Sequence, residues 1–130
     1  MTGVDTNVLL RWIIRDPEAP EQSRRVEAAF ASGGPFFVNQ IVLAEIAWVL
    51  RRRAGFTRGE VVRALRAMLD APQLRVEAPA VVADAVTRFE AGGAGFTDNL
   101  IGAVNRAAGC ASTLTFDRRA GRGDAFSAVP

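Results

Sequence analysis

Short apolar, strand-like segments alternate with helical segments along this chain, and that alternation restricts its fold more than any other feature. The pattern predicts strands at residues 1–4, 36–38, 74–76, 111–116 and 126–129. It predicts helices at residues 7–14, 18–31, 40–53, 57–70, 79–91 and 97–108. Because parallel strands need crossover connections, usually helices, we expect an α/β fold with a mainly parallel sheet and helices on both faces.

Several polar residues are placed to begin these helices. Asn39 stands immediately before one apolar helix, and Thr97 is expected to cap the last helix. Thr57 is followed three residues later by Glu60, which is the pattern of a capping box. These signals fix the expected helix starts more firmly than periodicity alone.

The size and charge of the chain set broad limits. The 130 residues contain no repeat, low-complexity tract or linker, so we expect one domain spanning residues 1–130. The formal net charge of +2 does not by itself indicate a nucleic-acid partner. All 16 basic residues are arginines, which suit phosphate contacts, although genome composition explains a chain without lysine at least as well.

Three missing residue types exclude much of enzyme chemistry. Without histidine there is no Ser–His–Asp triad and no histidine metal ligand. Without lysine there is no Walker-type phosphate loop and no Schiff base, and without tyrosine there is no tyrosine nucleophile. Any catalysis must therefore use carboxylates, arginines, hydroxyls or a bound ion.

The first residues do not have the pattern of a secretory leader. They lack a basic lead and a small-residue cleavage site, and Arg11 interrupts their apolar run. The only cysteine, Cys110, cannot form an intramolecular disulfide. We therefore expect a soluble protein of the cytoplasm.

Among the acidic residues, Glu45 is the hardest to explain by local structure. Most of the 14 carboxylates occupy polar helix faces, caps or loops. Glu45 instead interrupts the apolar run Ile41–Leu50, so we expect it to be buried. A buried carboxylate without a partner costs several kcal/mol, on the order of the desolvation penalty of an ion. It would need an arginine, a proton or a cation.

Three aspartates stand where a parallel sheet places its ligand sites. Asp5 ends the first expected strand, Asp117 follows the fourth strand, and Asp98 lies in the first turn of a helix. Each also has a local explanation: a helix cap for Asp5, the helix dipole for Asp98 and a turn for Asp117. Gathered with Glu45 at one sheet edge they would repel one another, and Mg²⁺ or Mn²⁺ would relieve that repulsion.

These acidic residues lie in four segments that, in order and spacing, resemble the acidic motifs of PIN domains. The segments are Val4–Leu9, Leu43–Ile46, Asp98–Ile101 and Thr115–Asp117. The similarity extends over essentially the whole chain, which looks like the VapC-type ribonuclease toxins of VapBC toxin–antitoxin pairs. One departure is Gly95, because many relatives have an aspartate three residues before the position of Asp98.

The resemblance implies a three-layer α/β/α sandwich and an endoribonuclease that depends on one or two Mg²⁺ or Mn²⁺ ions. Asp5 and Asp98 would be the principal metal ligands, and Glu45 and Asp117 would complete the catalytic pocket. The hydroxyls of two threonines would support the strand-end aspartates, namely Thr6 and Thr115. Hydrolysis would proceed by attack of metal-activated water on an RNA phosphodiester.

The same resemblance implies three partners: the RNA substrate, a VapB-type antitoxin and a second copy of the chain. Five arginines near the motifs are candidates for RNA contact, although each is also explained as a solvated surface residue: Arg11, Arg15, Arg118, Arg119 and Arg122. Trp12 and Trp48 are candidates for either the core or a partner interface. The sequence leaves open whether the run Arg51–Arg53 binds RNA, binds a protein partner or serves solubility.

Two other functions remain possible at this point. A different Mg²⁺-dependent phosphoryl-transfer enzyme, such as a small phosphatase, would ordinarily use a lysine near the phosphate, and this chain has none. A catalytically weak PIN domain that only binds RNA or protein is disfavoured by the four acidic positions but is consistent with Gly95.

Overall fold

The computed structural model describes residues 1–118 and 124–130, and it confirms the α/β class and the predicted order of elements. The strands are β1 (Thr2–Gly3), β2 (Phe36–Val38), β3 (Leu74–Val76), β4 (Thr113–Thr115) and β5 (Phe126–Ala128). The helices are α1 (Thr6–Ile13), α2 (Pro20–Ser32), α3 (Gln40–Arg52), α4 (Arg58–Asp70), α5 (Pro79–Glu90) and α6 (Phe96–Ala107). Within the described ranges, no helix is long and apolar enough to span a bilayer.

All strand pairs in the described part of the chain are parallel, but they form two sheets where one was expected. The first sheet has the order β1-β2-β3, and the second consists of β4 and β5. β1 has only two residues, so it offers few backbone groups for pairing on its second edge. As a result, the strand that precedes Asp5 and the strand that precedes Asp117 belong to different sheets.

Two of the three expected helix starts are confirmed. The Asn39 side chain accepts a hydrogen bond from the Val42 backbone N–H at 2.9 Å. Both hydrogen bonds of the Thr57–Glu60 capping box are present. The prediction for Thr97 is wrong, because the N-cap of α6 is Gly95, two residues earlier, and it makes no side-chain cap bond.

Helix α3 packs into the centre of the core. Its buried side chains lie on one side: Val42, Leu43, Ile46, Ala47 and Leu50. Each fully buried leucine of this kind contributes about 1.5–3 kcal/mol relative to an exposed one. Burial of this face fixes the rotation of α3, and therefore fixes which of its residues point away from the core.

The second sheet is joined to the helices by packing and by charge. A Cβ atom at Gly102 would lie 2.8 Å from the Phe126 ring, so the ring of β5 packs directly on the backbone of α6. The Arg88 guanidinium donates hydrogen bonds to both Asp84 and Asp124. The bond to Asp124 holds the pKa of that carboxyl below its usual value. The sheet of β4 and β5 is thereby attached to α5 and α6.

Candidate functional site

Asp5 is an exposed helix cap at the carboxyl end of β1. Its backbone is extended, and its Oδ1 accepts a hydrogen bond from the Val8 backbone N–H at 3.0 Å. Thr6 follows as the first residue of α1, and its hydroxyl makes no hydrogen bond to Asp5 within the described ranges. The capping explanation for Asp5 is therefore present in the structure, and it leaves the carboxylate accessible to solvent.

Glu45 is exposed, so the prediction that it is buried is wrong. The physical reason is that two large apolar residues of α3 also point outward: Ile41 is 71% exposed and Trp48 is 51% exposed. Ile41, Glu45, Trp48 and Arg52 recur at helical spacing and form the outer face of α3. In the sequence, this outward apolar pair is indistinguishable from core residues.

Asp98 is half-buried and lies in the first turn of α6. The helix dipole favours a negative charge at this end. The loop before it is fixed by Asn99, whose side-chain amide donates to the carbonyls of Ala94 and Gly95 at 3.2 and 2.9 Å. Asp98 is thus held on an ordered helix start, as the sequence predicted.

Asp117 is exposed and follows β4 by two residues. Its backbone N–H donates to the Thr115 hydroxyl at 2.9 Å. The hydroxyl of Thr115 therefore bonds the chain at Asp117, which is the local contact its expected supporting role requires. That role in catalysis stays a prediction.

The structure does not gather the four carboxylates into one metal-binding group. Within residues 1–118 and 124–130, no three aspartate, glutamate or cysteine side chains lie close enough to hold an ion together. Asp5 and Asp98 line different hollows, and no residue is common to the linings of both. The split between the two sheets also places Asp5 and Asp117 after strands that do not share a sheet.

The Asp5 hollow lies between α1, α2 and β2 and has a volume of about 440 Å³. Arg11, at its edge, donates to Gln22 at 2.9 Å and to Asp16 at 2.8 Å. Arg15, one turn further along the chain, pairs with Glu27 at 2.9 Å. Two of the arginines expected to contact RNA are therefore bonded within the protein.

The remaining predicted RNA arginines follow β4 in the sequence. Arg118 is exposed in a turn after β4. Arg119 and Arg122 lie outside the described residues. Contact of these three arginines with RNA stays a prediction.

The Asp98 hollow has a volume of about 280 Å³ and lies between the end of α3, the start of α4 and the start of α6. Its polar lining comes mainly from arginines, in contrast to the mixed lining around Asp5. The charged residues are Arg51, Arg52, Arg58 and Asp98. Trp48 forms part of the same wall, half exposed to solvent.

A comparison with protein-family models gives a match to the PIN domain over residues 4–125. The chain belongs to the PIN-domain family. Comparisons with curated proteins and with solved structures gave no match. Membership confirms the expected α/β PIN-like fold, and PIN domains are generally nuclease modules.

One structural residue of this PIN domain was not found from the sequence. The Arg58 guanidinium donates to the backbone carbonyls of Phe89, Gly93 and Ala94, at 2.6, 3.2 and 3.3 Å. It also lies 4.5 Å over the centre of the Phe89 ring. Because these partners are more than 30 residues away in the chain, no local pattern marks Arg58. It holds the loop that leads to Asp98.

Proposed function

We propose that this PIN domain is a metal-dependent endoribonuclease and acts as the toxin of a toxin–antitoxin pair. The observation that carries the proposal is the family match over residues 4–125, a segment that includes all four acidic positions. Asp5, Glu45, Asp98 and Asp117 are the proposed catalytic residues. In the structure these carboxylates are exposed or half-buried, so solvent and RNA can reach them.

The donor types of the proposed site suit Mg²⁺ or Mn²⁺, which prefer oxygen ligands. The arrangement of the described side chains is less suitable, because no three of them form a metal-binding group. The proposed metal dependence therefore rests on residue types and family membership. A bound ion would supply an activated water and neutralise charge on the phosphodiester.

The chain itself would supply binding and orientation. Asp98 is held in the first turn of α6, and Asp5 is held by its own cap bond to α1. Carboxylates alone repel RNA phosphates, so the arginines around the Asp98 hollow would provide the attraction. An exposed single strand is the expected substrate shape, because its phosphodiesters are free of pairing.

The deciding experiment is RNA cleavage by the purified chain with Mg²⁺ or Mn²⁺ and with chelator. End-labelled and circular RNA should both be cut, because an endonuclease needs no free end. Asp98→Asn removes the charge with little change in size and should abolish cleavage. Cleavage that persists in chelator, or an undiminished Asp98→Asn protein, would contradict the proposal.

The lack of a carboxylate group of three in the described residues favours one alternative, a PIN domain that binds RNA without cutting it. In that case RNA binding would be measurable and cleavage absent under every metal tested. A small-molecule phosphatase would instead hydrolyse phosphomonoesters, and Glu45→Gln would leave that turnover intact. The same preparations therefore separate the three functions.

We also propose a VapB-type antitoxin and a second copy of the chain as protein partners in the cytoplasm. Exposed apolar side chains on the second sheet support a protein contact: Leu114 is 64% exposed and Phe116 is 88% exposed. Sedimentation should give a dimer, and co-expression of the antitoxin should relieve growth arrest. A monomer at all concentrations, or expression without toxicity, would remove this part of the proposal.

A further inference from the structure

The outer face of α3 connects a proposed catalytic carboxylate with the Asp98 hollow. Glu45, Trp48 and Arg52 lie at i, i+3 and i+7, so they follow one another along the same side of the helix. Trp48 and Arg52 also line the Asp98 hollow, and Glu45 lies about one turn before Trp48 on the same helix. The distance along the helix axis from Glu45 to Arg52 is about 10 Å.

Trp48 presents an aromatic surface to solvent at the edge of this hollow. Its side chain is 51% exposed, although a tryptophan in an apolar helix is expected to pack into a core. The Arg53 guanidinium carbon lies 5.9 Å from the centre of the ring. A half-exposed tryptophan beside arginines is the combination that single-stranded nucleic acids use for base stacking and phosphate contact.

The charge around the hollow is positive. Three arginines line it, against the single carboxylate of Asp98. Arg51 donates to the Phe56 carbonyl at 3.3 Å, and this bond to a neutral group leaves the positive charge of Arg51 in place. Arg52 forms no ion pair with any carboxylate in the described ranges. A polyanion complements such a lining better than a neutral ligand.

From these observations we infer that Trp48, Arg51 and Arg52 form a binding subsite for single-stranded RNA, which leads the strand along α3 towards Asp98 and Glu45. A base would stack on Trp48, and the flanking phosphates would contact Arg51 and Arg52. This inference rests on the proposed ribonuclease function. It replaces Arg11 and Arg15 as RNA contacts by Arg51 and Arg52, which pair with no carboxylate in the described ranges.

The test measures RNA affinity directly, under conditions in which cleavage is blocked. A fluorescent single-stranded RNA of about 12 nucleotides is titrated in chelator, and anisotropy gives the Kd. We expect Trp48→Ala to weaken binding about 10-fold, and Trp48→Phe to retain part of the stacking. Arg51→Ala with Arg52→Ala should weaken binding and reduce the slope of log K against log salt by about 1.4, because about 0.7 is lost per phosphate contact.

The matched control is Arg75→Ala, which removes the same charge from the exposed face of β3, away from the hollow. It should leave the Kd and the salt slope nearly unchanged. Equal losses in Arg75→Ala and Arg52→Ala would reduce the effect to general charge and overturn the subsite. Unfolding curves of each variant show whether a loss of affinity comes from a loss of fold.

The results also separate this inference from the proposed function. If the wild-type chain cleaves RNA but the Trp48 and Arg52 variants bind as tightly as wild type, the subsite is wrong and the nuclease stands. If binding depends on Trp48 and Arg52 but no metal supports cleavage, the subsite stands and the nuclease is wrong. Variants that bind RNA normally but lose dimerisation would assign this face to a protein contact and overturn the inference.

Discussion

The two arginines that follow Asp5 in the sequence differ from the arginines that line the Asp98 hollow in what they bind. Arg11 is bonded to Asp16, and Arg15 pairs with Glu27. Around Asp98, Arg51 is bonded to the Phe56 carbonyl, and Arg52 has no carboxylate partner in the described ranges. Nearness in the sequence to an acidic motif therefore does not show whether an arginine has an acidic partner within the fold. The inferred subsite uses arginines that have none in the described ranges, and the predictions below test whether that difference affects RNA binding.

The largest expected effect comes from separating the two roles of Asp5. Asparagine caps helices as well as aspartate does, so Asp5→Asn should keep the bond to the Val8 N–H and the stability of α1. If Asp5 also acts in catalysis, the same variant should lose cleavage by more than about 100-fold, beyond the range for residues that only support a metal ligand. Cleavage rates and urea unfolding of one preparation measure both roles.

The companion variant Asp5→Ala removes the cap and the charge together. It should lower the free energy of unfolding by about 1 kcal/mol relative to Asp5→Asn. If Asp5→Asn cleaves normally and only Asp5→Ala is impaired, Asp5 is a helix cap alone. Of the two hollows, only the Asp98 hollow would then contain a catalytic carboxylate.

On the Asp98 side, the next largest effect is expected at Arg58. Arg58→Ala removes the bonds to Phe89, Gly93 and Ala94, and should lower the free energy of unfolding by about 2 kcal/mol. Arg58→Lys keeps the charge but lacks the planar fork that reaches several carbonyls, so it should be intermediate. Denaturant unfolding measures the order of stability of the wild type and the two variants. Equal stability of wild type, lysine and alanine variants would show that the loop before Asp98 is held by other contacts.

The contrast between local and distant partners also explains which structural features can be predicted from the sequence. Asn39, Thr57 and Glu60 make their cap bonds within three residues, so the pattern locates these helix starts. The prediction that Glu45 is buried fails because Ile41 and Trp48 point outward, which the local pattern of apolar residues does not show. Arg58 is missed because its partners come from a different helix and loop.

The same limit applies to the candidate site: its local features can be predicted from the sequence, and its long-range arrangement cannot. The positions of Asp5, Asp98 and Asp117 at element ends follow from strand and helix boundaries, and the structure confirms those positions. Whether the carboxylates meet depends on how β4 is placed relative to β1, and the parallel pairing of short strands is a long-range property. The split into two sheets could not be read from the pattern of apolar residues.

A smaller effect, a gain in metal affinity, is expected from a substitution at Gly95, the N-cap of α6. Its φ of −70° is open to any residue, and a Cβ there would meet nothing within 4 Å. Gly95→Asp would place a second carboxylate three residues before Asp98, as in many relatives, and should lower the half-activating Mn²⁺ concentration by up to about 10-fold. Gly95→Asn supplies a cap without the charge and should leave that concentration unchanged. Equal behaviour of the two variants would exclude a metal at this end of α6.

The smallest effect is expected at Arg15, and it is the most direct test of the difference between acid-paired arginines and the arginines of the Asp98 hollow. Arg15 is exposed and paired with Glu27, so Arg15→Ala removes one positive charge and releases one negative charge on the surface of α2. Because Arg15 does not line the Asp98 hollow and is paired with Glu27, the Kd for single-stranded RNA should change by less than about twofold. Arg52→Ala, measured beside it at the same salt concentration, should weaken binding clearly more. If Arg15→Ala costs as much affinity as Arg52→Ala, pairing within the fold does not remove an arginine from RNA recognition, and the distinction between paired and unpaired arginines fails.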